Sequence, residues 1–181
     1  MTEPRIEFVF GQVTDQLKDE LNTFWKKNNN SYQEELRSFR STLEKKSINM
    51  GPPKKTISRQ AAAISRNKSG AIDGIMFVVL RELDDSLGLG SHAYFQRMYV
   101  TPESRHYCLT NRLFKVFLQG FDREAEKRDH RAKVLLAENI NPALQKASMR
   151  RYFARLGFQM LGENQLGGEI WARKLKTIFL F

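Results

Sequence analysis

The segment Ala71 to Leu83 (AIDGIMFVVLREL) constrains the fold more than any other stretch of this chain. Its centre is a nearly unbroken run of β-forming residues, apolar enough to be buried on both faces. Such a strand belongs inside a sheet that other elements cover from both sides. The turn-forming Asn67-Lys68-Ser69-Gly70 joins it to an earlier strand over Arg59 to Arg66.

Around this hairpin the chain alternates between helical and extended patterns. Ile6 to Val13 suits a first strand. Thr14 is placed to cap a helix whose apolar residues are Leu17, Leu21, Phe24 and Trp25. Asn28-Asn29-Asn30 predicts a break, and Ser31 with Glu34 forms a capping box for a second helix with the stripe Tyr32, Leu36, Phe39 and Leu43. Residues 46–57, with Gly51-Pro52-Pro53, and residues 84–91 read as loops.

His92 to Val100 is a strand closed by Thr101-Pro102, followed by a helix from about Thr110 to Arg128. Ala132 to Ala137 is a short buried strand. Asn141 and Pro142 then open a helix that buries Met149, Phe153 and Leu156 and stops at Gly157. Phe158 to Gly162 and Glu169 to Lys174 are two last strands. The expected order is β-α-α-β-β-β-α-β-α-β-β, an α+β pattern of about seven strands and four helices.

A length of 181 residues predicts a single domain over 1–181. No apolar run reaches the ~18 residues of a membrane span, and Met-Thr-Glu-Pro-Arg lacks the features of a secretory signal. A cytoplasmic protein without membrane contact is the expectation. The lone Cys108 excludes an internal disulfide, and three dispersed histidines give no readable metal site or triad. Charge is uneven: residues 1–95 hold 14 basic and 12 acidic side chains, residues 96–181 hold 16 and 8. A basic second half attracts polyanions: nucleic acid, an acidic protein or a phosphate-rich cosubstrate.

The element order resembles that of the GNAT superfamily of CoA-dependent acyltransferases. Three stretches carry the resemblance: the hairpin Ala71 to Ile75, the run Met98-Tyr99-Val100-Thr101-Pro102-Glu103-Ser104-Arg105, and Arg150 to Phe158 (RRYFARLGF) ending in Gly-Phe. The resemblance spans most of residues 6–175. It implies a mixed, mostly antiparallel sheet with acetyl-CoA or another acyl-CoA as cosubstrate and no metal. Met98, Tyr99 and Val100 would hold the pantetheine. The loop Arg105-His106-Tyr107-Cys108-Leu109-Thr110 would hold the pyrophosphate on backbone N–H groups at a helix start.

Several positions depart from the family pattern. Cys108 and Thr110 stand where the loop has small residues, so a left-handed backbone there would cost about 1 kcal/mol or more. Phe153 replaces the tyrosine that reprotonates the CoA thiolate, with Tyr152 one residue earlier. Lys146 replaces a cofactor-holding asparagine, for which Asn139 and Asn141 are candidate substitutes. Glu138 is the candidate general base, with His92 and Gln96 behind it.

Transfer of an acyl group to an amine is therefore one expectation. The other is a GNAT-fold protein without acetyl transfer, serving as a nucleic-acid or protein binding module, or a diverged nucleic-acid-modifying enzyme. A cleft between the fourth and fifth strands would favour the enzyme. A continuous basic surface of Arg112, Lys115, Arg150, Arg151 and Arg155 would favour the module. The apolar Thr177 to Phe181 suggests a homodimer contact.

Overall fold

The computed structural model describes residues 4–41, 55–84, 87–164 and 167–176. Seven strands form one sheet: β1 (Arg5–Phe8), β2 (Thr56–Arg66), β3 (Ile72–Glu82), β4 (His92–Val100), β5 (Ala132–Asn139), β6 (Gln159–Glu163) and β7 (Glu169–Lys174). Their spatial order is β1-β2-β3-β4-β5-β7-β6. Every neighbouring pair is antiparallel except β4 with β5. β3 is buried continuously from Asp73 to Leu80, as its composition demands.

Among the described residues there are three α-helices: α1 (Asp15–Ser41), α2 (Tyr107–Arg123) and α3 (Ala147–Arg155). The two expected early helices are thus one. Three asparagines cost a helix roughly 2 kcal/mol against alanine, which is not enough to break this one. Asn28 bonds back within the helix, donating from Nδ2 to Phe24 O at 2.8 Å. Trp25 and Tyr32, two turns apart, stay in phase on an aromatic cluster with Phe77 and Tyr99, where each ring pair adds about 0.5–1.5 kcal/mol. Thr14 does cap the helix start, accepting from Leu17 N at 3.2 Å.

α1 covers one face of the sheet through Leu17 and Phe24, against Ile64, Ile75 and Tyr99. α2 and α3 cover the other, where Leu113, Phe117, Phe121 and Phe153 meet Met76, Leu135 and Trp171. α2 lies so close to β1 that a Cβ at Gly120 would stand 2.3 Å from the Phe8 ring. The helix expected from Pro142 is split into a 3-10 turn, Pro142–Gln145, and α3, with Lys146 extended between them. Gln145 accounts for the split: its Nε2 donates to Asn139 O and Gly167 O, which ties the turn to the end of β5. Gly157 ends this region at φ +83°. The C-terminal stretch 177–181 and most of the expected loop 46–57 lie outside the described residues, while Thr56 and Ile57 open β2.

Candidate functional site

The ladder between β4 and β5 runs from His92↔Ala132 to Gln96↔Ala137 and then stops. β4 continues to Val100 and β5 to Asn139. Beyond Gln96 the two strands fork, and their facing backbone groups have no ladder partner. A cavity of about 490 Å³ occupies the fork. Met98, Tyr99 and Val100 line one side of it and Glu138, Asn139 and Asn141 another. α1 contributes Tyr32, Leu36 and Phe39, and α3 contributes Met149, Tyr152 and Phe153.

The start of α2 opens onto the same cavity through Arg105, His106, Tyr107 and Thr110. His106 is the N-cap: its backbone is extended (φ −144°, ψ 156°) and its Nδ1 accepts from Leu109 N at 3.2 Å. The N–H groups of Tyr107 and Cys108 precede the first possible intrahelical bond and have no partner within the helix. Among the described residues no residue other than glycine has a positive φ. Cys108 and Thr110 lie in regular helix, so the expected backbone cost at these positions does not arise. The Thr110 hydroxyl bonds back to His106 O and Tyr107 O at 3.3 and 3.1 Å. Leu109 is buried in the core, and Cys108 is exposed and not part of the cavity wall.

Arg105 reaches toward α1. Its guanidinium makes a bidentate ion pair with Glu35 at 2.8 and 2.9 Å, donates to Val100 O at 2.8 Å and lies over the Tyr99 ring. A second ion pair spans the fork: Arg97 bonds Oε2 and the backbone carbonyl of Glu138. Asn164 donates to the other oxygen of Glu138. With both oxygens so held, Glu138 also lines the cavity wall.

Tyr152 is half-buried and donates from Oη to Asn111 Oδ1 of α2 at 2.6 Å. Burial pushes its phenol pKa up, nearby Tyr107 adds to the rise, and Arg155 opposes it. Phe153, one position on, is core. Asn141 spends its side-chain oxygen on the 3-10 turn, accepting from Ala143 N at 2.9 Å. Gln96 sits at the fork's apex. His92 is at the opposite end of β4, buried, with Nδ1 2.8 Å from Ser91 Oγ.

A three-stranded antiparallel run, a helix, one parallel strand, a further helix and a closing antiparallel pair, with a fork between the fourth and fifth strands, is the arrangement the sequence resemblance implied. The chain has the GNAT fold. No family model and no curated protein matches it. Solved structures with the same fold are similar at a low level. The yncA protein of Salmonella typhimurium, solved with its cofactor acetyl-CoA, has 14% identity and a TM-score of 0.49, over 99% of this chain and 98% of that one. A GCN5-related N-acetyltransferase from Kribbella flavida has 13% identity and a TM-score of 0.48, over 95% and 98%. A GNAT-family acetyltransferase from Staphylococcus aureus has 15% and 0.46, over 96% and 100%. Likeness at this level concerns the fold alone, and the site is read from this chain's own geometry.

Most of the sequence-expected site residues of the GNAT fold therefore converge on the fork; Cys108 and Leu109 do not. Sequence reasoning missed the residues that hold the others in place: Glu35 for Arg105, Arg97 and Asn164 for Glu138, and Asn111 for Tyr152. Among the described residues no group of three or more His, Cys, Asp or Glu is arranged for a metal, and no helix is long and apolar enough to cross a membrane.

Proposed function

We propose that the protein is an acyl-CoA-dependent N-acyltransferase that passes an acyl group, most simply acetyl, to an amine by direct attack. One observation carries this reading: a cavity runs from the open N-terminus of α2 along the unpaired edge of β4 to Glu138 and Tyr152. Its volume of about 490 Å³ lies in the range of small-molecule sites. The edge of β4 beyond Gln96, with no ladder partner on β5, offers backbone groups at the spacing of an extended amide chain, which suits a pantetheine arm. The N–H groups of Tyr107 and Cys108, with the positive end of the helix dipole, suit a pyrophosphate.

Bound acetyl-CoA supplies the activated acyl group. Glu138, pinned by Arg97 and Asn164, accepts from the attacking amine, orients it and takes up its proton. Tyr152 stays protonated at neutral pH because burial disfavours its anion. Rotation about its Cζ–Oη bond releases Asn111 and turns the proton toward the departing sulfur, at a cost of about 1 kcal/mol for one neutral hydrogen bond. Arg105 acts as a strut between α1 and β4, and the helix start rather than this side chain meets the phosphates. The binding-module reading is weaker, because Arg150 is committed to buried Glu169 at 2.6 Å and Trp171 braces the same carboxylate. The +8 balance of residues 96–181 puts amines on nucleic acids, charged tRNA and acidic proteins first in an acceptor screen.

A pair of variants at one position tests the phosphate site. Tyr107 is the first residue of α2, where proline is well tolerated, and extended His106 before it has the backbone proline requires. Tyr107→Ala and Tyr107→Pro both remove the ring, but only proline removes the N–H. A charge-assisted bond of about 1.5–3 kcal/mol predicts that Tyr107→Pro binds acetyl-CoA at least tenfold more weakly than Tyr107→Ala in calorimetry. Equal affinities would reject the helix start as the phosphate site. No binding of acetyl-CoA by the native chain at millimolar concentration would reject acyl transfer itself.

A further inference from the structure

Arg59 of β2, Arg81 of β3 and Arg97 of β4 share the sheet face that α1 covers. In the ladders Arg59 stands opposite Val79, Phe95 opposite Val79 from the other side, and Arg97 opposite Phe77. Residues two apart on a strand face the same way, and Phe77 and Val79 belong to the core under α1. The Arg59 guanidinium lies over the Phe77 ring at 5.5 Å, and that of Arg81 over the Phe95 ring at 5.0 Å. Phe77 is directly across from Arg97 and Phe95 is two residues before it, so the three side chains border one aromatic floor.

Arg97 has a carboxylate partner: it is paired with Glu138, and both line the cavity. Arg59 is exposed and Arg81 half-buried. Among the described residues neither makes a hydrogen bond or ion pair, and Arg81 Nε is buried without a partner. Burial lowers the Arg81 pKa most; Arg97 and Arg59 lower it further, and only Glu138 raises it. Three cations thus face one carboxylate. Stacking on the rings holds the guanidiniums in place without consuming their in-plane donors, and such a fork suits the paired oxygens of a carboxylate or phosphate.

The position of this patch relative to Glu138 says what brings the anion. Leu136 is opposite Phe95 in the parallel ladder, and Glu138 is two residues on, about 7 Å along the strand. An amine bonded to Glu138 at the fork therefore has unpaired guanidiniums about one pleat repeat away, on the α1 face of the sheet.

On the acyl-transfer reading, we infer that the acceptor is an amine that also carries a carboxylate or phosphate, and that Arg59 and Arg81 bind this anion while Glu138 receives the amine. The amine nitrogen bonds to the thioester carbon, the carbon–sulfur bond breaks, and the thiolate takes the Tyr152 proton. Glu138 takes the proton of the amine, and solvent restores both side chains. The anionic group enters no bond change, so its contacts set acceptor affinity rather than the rate of the chemical step.

Thiol release from acetyl-CoA is measured with matched acceptors: glycylglycine and its amide, γ-aminobutyrate and its amide, phosphoethanolamine and ethanolamine. Each pair keeps the amine and changes the anion. The native chain is expected to use an anionic member with kcat/KM about tenfold or more above its neutral partner, the equivalent of one charge-assisted hydrogen bond. The pair that shows this tells carboxylate from phosphate. Arg59→Met and Arg81→Met keep an apolar stem on the rings and remove the charge. Each should raise KM for the anionic member about tenfold, with kcat, the rate with the neutral member and acetyl-CoA affinity by calorimetry within about twofold of native. Melting curves control for folding, and if Arg81→Met does not fold, the exposed Arg59→Met alone carries the comparison. No preference for an anion in any pair, a preference that both variants keep, or no turnover of any acceptor by a chain that binds acetyl-CoA overturns the assignment and leaves the acyl-CoA site standing. A native chain that does not bind acetyl-CoA removes the acyl-transfer reading and the assignment with it.

Discussion

Replacing Arg105 tests whether the arginine before α2 is a strut or a phosphate ligand. The pair with Glu35 is partly exposed, with side-chain accessibilities of 40% and 27%. At an effective dielectric of 20 the bare attraction is about 4 kcal/mol, but solvent screening and side-chain entropy reduce such pairs to roughly 0.2–1 kcal/mol. Bidentate geometry at 2.8 and 2.9 Å places this one at the upper end. The bond to Val100 O adds about 1 kcal/mol. Arg105→Ala should therefore cost about 2 kcal/mol, which lowers Tm by roughly 4–8 °C in a chain of this size. A double-mutant cycle with Glu35→Ala should return a coupling of about 0.5–1 kcal/mol, shrinking in 1 M salt as the Debye length falls to about 3 Å. Arg105→Glu sets two carboxylates against each other and should cost more. The exchange Glu35→Arg with Arg105→Glu should recover the coupling but not the bond to Val100 O. Acetyl-CoA affinity of Arg105→Ala should stay within threefold of native. A coupling below about 0.2 kcal/mol, or a tenfold loss of acetyl-CoA affinity in Arg105→Ala, would refute the strut.

Two further outcomes follow from the packing and the chemistry. Gly120→Ala gains about 1 kcal/mol of helix propensity but drives a Cβ to 2.3 Å from the Phe8 ring, so overpacking should leave it destabilised by about 1–2 kcal/mol in urea unfolding. Adding Phe8→Ala should remove the clash, so the glycine change in that background should be stabilising, and a destabilisation there would discredit the argument. Tyr152→Phe should lower the rate of acyl transfer about 10²-fold with acetyl-CoA affinity unchanged. In the native chain the rate should fall only above about pH 10, the ordinary tyrosine value, because burial moves this phenol upward; that limb should vanish in the variant, and a rate within twofold of native would rule out Tyr152 as the acid.

Much of the sheet was legible because its signals are local. β3 is a continuous apolar run, β4 ends at a proline turn, and β7 opens just after the turn-forming Asn164 to Gly168; β4 and β7 have their expected bounds. The cavity was legible only as a place between two strands. Its working parts depend on contacts distant in sequence: Arg97 meets Glu138 across 41 residues, Tyr152 meets Asn111 across 41, and Arg105 meets Glu35 across 70. Periodicity and spacing carry no information at such separations. α1 was misread for a related reason. Three successive asparagines are a local stop signal, and aromatic packing of Trp25 and Tyr32 against the sheet outweighs it. His106, expected as one residue of the phosphate-binding loop, is the exposed N-cap of α2, its Nδ1 accepting from the N–H three positions on, a role that spacing alone did not single out.

The loss of glycine from the loop before α2 looked like the strongest case against acyl-CoA binding. A glycine-rich loop binds phosphate by curling successive N–H groups inward, and left-handed backbone is what makes small residues necessary there. On the proposed acyl-transfer reading, this chain presents its donors without the curl. Arg105 and His106 stay in ordinary extended backbone, and α2 begins at Tyr107. The N–H of Leu109 is already taken by His106. That leaves the first two N–H groups for a ligand, aligned by the helix rather than by a loop. Side chains at Cys108 and Thr110 then point away from the helix axis and need not shrink. On that reading, side chains at Cys108 and Thr110 leave the two N–H donors of the helix start in place, and a proline at Tyr107, which removes one of them and little else, is the change the site should not tolerate.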